Sequence, residues 1–150
     1  MNRAIVRALI ITVVAGFLTA CGLGAMAVES ISDIGATPAS RKQKLTKDLK
    51  RFHNGLYWGQ AGVVLGYVVD DKRDEFKRDM ILSKKREKIV DHEIELVDFS
   101  DDARSAEVDV TVKYYEVPYY IVKSRLEREE WQFSMKEGWK IASRKILPDS

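Results

Sequence analysis

The chain has 150 residues, 45% apolar and 32% charged, with 25 Lys and Arg set against 23 Asp and Glu. That composition fits a soluble globular unit, and a formal net charge of +2 is too small for a domain that holds nucleic acid by charge. One cysteine, two histidines and no G-x-S-x-G or H-E-x-x-H string leave thiol, serine-hydrolase and zinc-peptidase chemistry without local support, and neither a cofactor nor a metal site is expected.

Arg3 and Arg7 precede an apolar run from Ala8 to Ala20, which has the length of an export signal and falls short of the about 20 residues a membrane-spanning helix needs. The run ends in Leu18-Thr19-Ala20-Cys21. These four residues resemble the lipobox of bacterial lipoproteins. The resemblance implies cleavage before Cys21 and a diacylglycerol on its sulfur, with Gly22 in place of Asp directing the product to the periplasmic face of the outer membrane. The other reading of Cys21 is an unmodified residue at the end of an ordinary secretory signal. On the lipobox reading, residues 1–20 are a signal peptide, 21–39 an acylated cysteine and flexible tether, and 40–150 one folded domain. Loss of Arg3 and Arg7 would leave that product formally neutral.

Ser40 is placed to cap a helix over 41–57, in which Leu45, Leu49, Phe52 and Leu56 share one face and Arg41, Lys42, Lys44, Lys47, Lys50 and Arg51 populate the other. A second helix over 60–69 is apolar on all sides and is expected to be buried, with Gly62 and Gly66 allowing close approach to a neighbour. Asp70 or Asp71 then caps a third helix to about Lys85, with Phe76 and Met80 facing inward.

From Ile89 the period falls to 2. His92, Ile94 and Leu96 are expected on one side of a first strand, and Ala106, Val108, Val110, Val112 and Tyr114 on the buried side of a second. Pro118 marks the bend into a third strand over 121–135. There the apolar residues shift from even positions (Val122, Leu126) to odd ones (Trp131, Phe133, Met135), so either a β-bulge sits between Leu126 and Trp131 or one end of the strand faces a different environment. On this reading Arg125, Glu127, Arg128, Glu129 and Glu130 form charge pairs on the outer face. Glu137-Gly138 is expected to be a two-residue turn into a last strand that carries Trp139, Ile141 and Ser143 on one side.

The expected class is α+β, with N-terminal helices packed on a curved four-stranded antiparallel sheet. This order of elements, closing on Trp131-Gln132-Phe133-Ser134-Met135-Lys136-Glu137-Gly138-Trp139-Lys140-Ile141, resembles the NTF2-like (cystatin-like) superfamily over residues 41–145. The resemblance implies a cone with a pocket at its wide end. It leaves function open, because such scaffolds carry isomerases, dehydratases and inert assembly modules.

Three candidate sites follow. His92, in phase with Ile94, points into the cone as an acid–base or ligand-binding residue with Asp91 and Tyr57 near it, or else it is a structural histidine. Tyr115, Tyr119 and Tyr120 around Pro118 form an edge for an envelope protein partner, since tyrosine concentrates at binding hot spots. The basic runs 41–51 and 84–88 either face solvent or touch anionic headgroups near the membrane to which Cys21 would tie the chain. A non-catalytic, lipid-anchored binding or scaffolding module that docks a protein partner or a small apolar ligand is the leading reading, and an isomerase or dehydratase its rival.

Overall fold

The computed structural model describes residues 35–148. The signal peptide, Cys21 and most of the expected tether lie outside the described residues.

Helix α1 (Pro38–Tyr57) buries the anticipated stripe of Leu45, Leu49 and Phe52, but it opens earlier than expected. Thr37, not Ser40, is the cap. The Thr37 hydroxyl accepts the Ser40 N–H at 3.2 Å, the Ser40 hydroxyl accepts the Thr37 N–H at 3.0 Å, and Pro38 fills the first helical position, where its missing N–H costs nothing. Arg41 also departs from its expected solvated face. It is buried, its guanidinium donates to the carbonyls of Gly35 (2.9 Å), Ala36 (3.2 Å) and Asp102 (2.6 Å), and it lies over the Phe133 ring. This one side chain fastens the start of α1 to the turn between the first two strands.

Helix α2 (Ala61–Gly66) is shorter than its apolar run and only Val64 in it is fully buried. The chain turns away after Gly66 to lie along the last strand, where the Ile141 N–H donates to Tyr67 O and the Val69 N–H to Ile141 O, and this buries Val68. Gly62 and Gly66 face open space, contrary to expectation. The close approach between the helices is made by Gly55 of α1, where a Cβ would sit 3.0 Å from Val64 Cγ2 and 3.2 Å from Val63 Cγ1. A 3-10 turn (Asp70–Lys72) leads into α3 (Arg73–Arg86); Asp70 pairs with the Arg73 side chain at 2.7 Å instead of capping the backbone. Phe76 and Met80 pack against the core as anticipated.

Strands β1 (Glu87–Phe99), β2 (Ser105–Glu116), β3 (Val122–Ser134) and β4 (Gly138–Ile146) form one antiparallel sheet in the order β1-β2-β3-β4. Residues paired directly across an antiparallel ladder share a face. Ala106, Val108, Val110 and Val112 stand opposite Trp131, Glu129, Glu127 and Arg125, so all eight point to the helices. The third strand therefore has no phase slip. Its odd positions face inward throughout, and the inner face changes from apolar to charged. Arg125, Glu127 and Glu129 belong inside, not on the outer face.

A register shift does fall in the expected stretch, between Glu130 and Trp131 on the ladder to β4, but the extra residue is not on β3. In β4 Ala142 is the extra residue between the pairs Glu130–Ser143 and Trp131–Ile141, which brings Arg144 opposite Glu129. In β1 the extra residues are Val90 and Glu95, so Val97 and Phe99 take the inner positions after Ile94, and Leu96 is turned outward. The last hairpin closes through the three residues Met135–Glu137, with Gly138 at φ +73°, so Met135 is exposed and Gly138 already belongs to β4.

The Gly55 contact and the open Gly62 give opposite expectations. Gly55→Leu should cost about 2 kcal/mol through overpacking against Val63 and Val64, whereas Gly62→Ala should gain up to about 1 kcal/mol of helix propensity, both read from urea denaturation midpoints.

Candidate functional site

An open cavity of about 720 Å³ occupies the wide end of the molecule, between the end of α1, α2, α3 and the inner face of the sheet. Trp131 and Phe133 do not fill it. They pack with Phe52 and Trp139 in the core beneath. Leu56, Trp58, Phe76 and Met80 supply an apolar wall from the helices, and Ile89 and Ile146 supply one from the sheet.

The floor is ionic. Arg125 donates two parallel hydrogen bonds to Glu87, at 2.6 and 2.7 Å, and a third through Nε to Glu127 Oε1, while its guanidinium lies 4.4 Å from the Tyr114 ring centre. Arg144 Nε donates to the other oxygen of Glu127. Glu127 is 1% exposed, and a carboxylate this deep persists because guanidinium donors engage both of its oxygens. Behind it Glu129 is fully buried: Trp131 Nε1 donates to Oε2 at 3.0 Å, His53 Nε2 lies 3.4 Å from the same oxygen, and Arg144 Nε is 4.0 Å from Oε1. The His53 approach falls short of hydrogen-bond geometry. Burial pushes the Glu129 carboxyl up, but the charges of His53 and Arg144 and the indole N–H outweigh it, and its pKa lies below the ordinary value.

His92 is turned to the helices, as anticipated, but it does not line the cavity. Its ring stacks on His53 with centroids 4.9 Å apart and planes 19° apart. Burial and then repulsion from His53 lower its pKa, against the opposing pull of Asp91 and Glu129. Asp91 is on the outer face, 3.3 Å from Lys113 Nζ, which with the His92 N–H holds its carboxyl below the usual range. Tyr57 lines the cavity and stands edge-on to Trp58, apart from the histidine stack. Tyr115 is half-buried under Tyr120, at 5.2 Å between rings, whereas Tyr119 and Tyr120 are exposed. The sequence reading missed the floor of Glu87, Arg125, Glu127 and Arg144. The available signal was parity: Glu127 and Glu129 are in step with Trp131 and Phe133.

Among solved structures the chain is similar to the intermembrane space region of the chloroplast protein ARC6 (16% identity, TM-score 0.50, 71% of this chain and 96% of that one). It is also similar to a ketosteroid isomerase-like protein from Erwinia carotovora atroseptica (13%, 0.55, 69% and 94%) and to a protein of unknown function with a cystatin-like fold from Nostoc punctiforme (11%, 0.55, 72% and 90%). The fold is NTF2-like. No family model matches the chain, and neither does any curated protein. At these identities the likeness establishes the α+β architecture of the NTF2-like domain and leaves its chemistry to the residues themselves.

Two outcomes are expected of this site. Glu127→Leu strands Arg125 and Arg144 beside an apolar side chain and should cost about 3 kcal/mol in chemical denaturation. The histidine stack gives acid sensitivity. His92 has a folded pKa below its ordinary 6.5, so the stability it contributes is complete above that value and is lost as the pH falls through it. Glu129, depressed below 4.5, adds a loss of the same sign at lower pH. Melting temperature should therefore fall from pH about 7.5 to about 5.5, and His92→Phe should flatten that part of the curve.

Proposed function

We propose that the chain is a non-catalytic binding module of the bacterial envelope, anchored through acylated Cys21 and holding a small apolar or amphipathic ligand in its cavity. The observation that carries this reading is the pairing of an open apolar chamber with a floor whose charges are already committed to one another. At about 720 Å³ the chamber lies within the about 300–1,000 Å³ typical of small-molecule pockets. An isomerase or dehydratase needs an acid or base free to meet substrate. Glu127 has both oxygens engaged by guanidinium groups, Glu87 is held by Arg125 through two bonds, and His92 and Asp91 lie outside the chamber. The rim favours a ligand with an anionic end, since Lys77, Lys84, Arg86 and Lys88 line it without a carboxylate partner among the described residues and outnumber the one acid there, Asp79, that lacks a cationic one.

The chamber is tested with an apolar fluorescent probe such as N-phenyl-1-naphthylamine. The unaltered chain should take it up with a rise in emission, and Ala61→Trp and Ala142→Trp, both at the cavity wall, should lose that rise while melting normally. Absence of uptake, or uptake undiminished by both substitutions, would overturn the binding reading. The anchor is tested by mass spectrometry of the chain isolated from cells. The expected N-terminal peptide begins at Cys21 and carries acyl mass; a chain that retains Met1, or a free thiol at Cys21, removes the anchor.

A further inference from the structure

The loop joining β2 to β3 is the most exposed apolar segment among the described residues. Tyr119, Tyr120 and Ile121 are 73%, 71% and 66% exposed, and Val117 and Val122 flank them at about half exposure. Tyr120 holds φ +46°, a backbone region unusual for a bulky residue, and this folds its ring back on Tyr115. The ladder fixes where this tip points. Glu87 pairs with Glu116, Tyr115 with Val122 and Glu127 with Ile146, so β3 runs several residues beyond β4 and the tip projects from the same end as the cavity mouth.

A basic collar surrounds it. The Val117 N–H donates to the carbonyl of Arg86, and Lys88 pairs with Tyr115, which sets the run Lys84, Lys85, Arg86 and Lys88 at the foot of the loop. All four cations are exposed and none has a carboxylate partner among the described residues. The acids at the adjoining strand ends are already committed, Glu87 to Arg125 and Glu116 to Lys123. Trp58, 70% exposed at the end of α1, adds a second aromatic group beside the mouth.

We propose that this end of the molecule is a membrane-contact surface, with the Tyr119-Tyr120-Ile121 tip inserted at the headgroup level of an anionic bilayer and the collar lying on the lipid phosphates. Tyrosine and tryptophan favour that depth because one part of the ring is apolar and the other polar, and each lysine or arginine near such a surface adds attraction. The charge selects lipid over protein as the occupant: four uncompensated cations around an apolar tip match a uniformly anionic plane. In this orientation the cavity opens toward the bilayer. The proposal does not depend on acylation of Cys21 or on the cavity ligand.

Cys21 is the chain's only cysteine, so full-length Cys21→Ser can carry one thiol, at Tyr120→Cys in the tip or at Lys136→Cys in the opposite hairpin, labelled with an environment-sensitive fluorophore. On addition of vesicles of phosphatidylglycerol and phosphatidylcholine, the label at 120 should shift to the blue and the label at 136 should not. The label reports its own depth, so binding by the N-terminal apolar run alone leaves it unshifted. Replacing collar cations with serine should weaken the response about fivefold for each one removed. Tyr119→Ser combined with Ile121→Ser should abolish the shift with melting unchanged, since both side chains lie in solvent. An unshifted label at 120, equal shifts at both sites, or a shift at 120 that requires added envelope protein would overturn the proposal, the last in favour of a protein partner.

Discussion

The pairing of β2 with β3 is the constraint on which the site depends. Once Val108, Val110 and Val112 are committed to the core, the ladder places Glu129, Glu127 and Arg125 beside them, whatever their polarity. Three ionic side chains then need partners inside the molecule. Glu87 arrives from the start of β1, Arg144 from the far side of the Ala142 bulge, and His53 from the C-terminal part of α1. One strand register thus ties four elements together. Such a network is a weak source of net stability, because desolvation offsets most of the attraction, but it penalises every alternative register that would strand a charge.

Much of the fold was legible in the sequence. The heptad-like stripe of α1, the alternation of β2 and the Trp131–Ile141 hairpin each carry a strong apolar period, and they appear where expected apart from the turn of that hairpin, which takes three residues instead of two. The candidate site was less legible, for a specific physical reason. Reading the inner face from hydrophobicity assumes that inward means apolar, and in β3 the inward residues are Arg125, Glu127 and Glu129. Leu126 lies next to them at even parity and made the strand look slipped. The residues that bulge were not legible for a related reason: Val90, Glu95 and Ala142 are ordinary residues with no local turn chemistry, and only pairing with a partner strand reveals them. Arg41 is the clearest case of tertiary override. Nothing in a basic helix face distinguishes the one guanidinium that three backbone carbonyls bind.

The two proposed contacts, a ligand in the cavity and a bilayer at the tip, share one end of the molecule and meet at Lys84, Arg86 and Lys88, which line the cavity and stand at the foot of the loop. Aromatic and aliphatic side chains form both the chamber wall and the projecting loop, with basic residues at the boundary between them. The ionic floor lies deeper and neutralises itself, so it gives the chamber a rigid base.

The sheet also has consequences at its borders. The β4 edge is covered where residues 67–69 run beside Ile141, while the far edge, β1, has no neighbour among the described residues. Extra residues at Val90 and Glu95 interrupt that free row of backbone donors and acceptors, which breaks the straight template a second copy would need to zip onto it. A β-rich chain with such an edge resists sheet-to-sheet growth from that side.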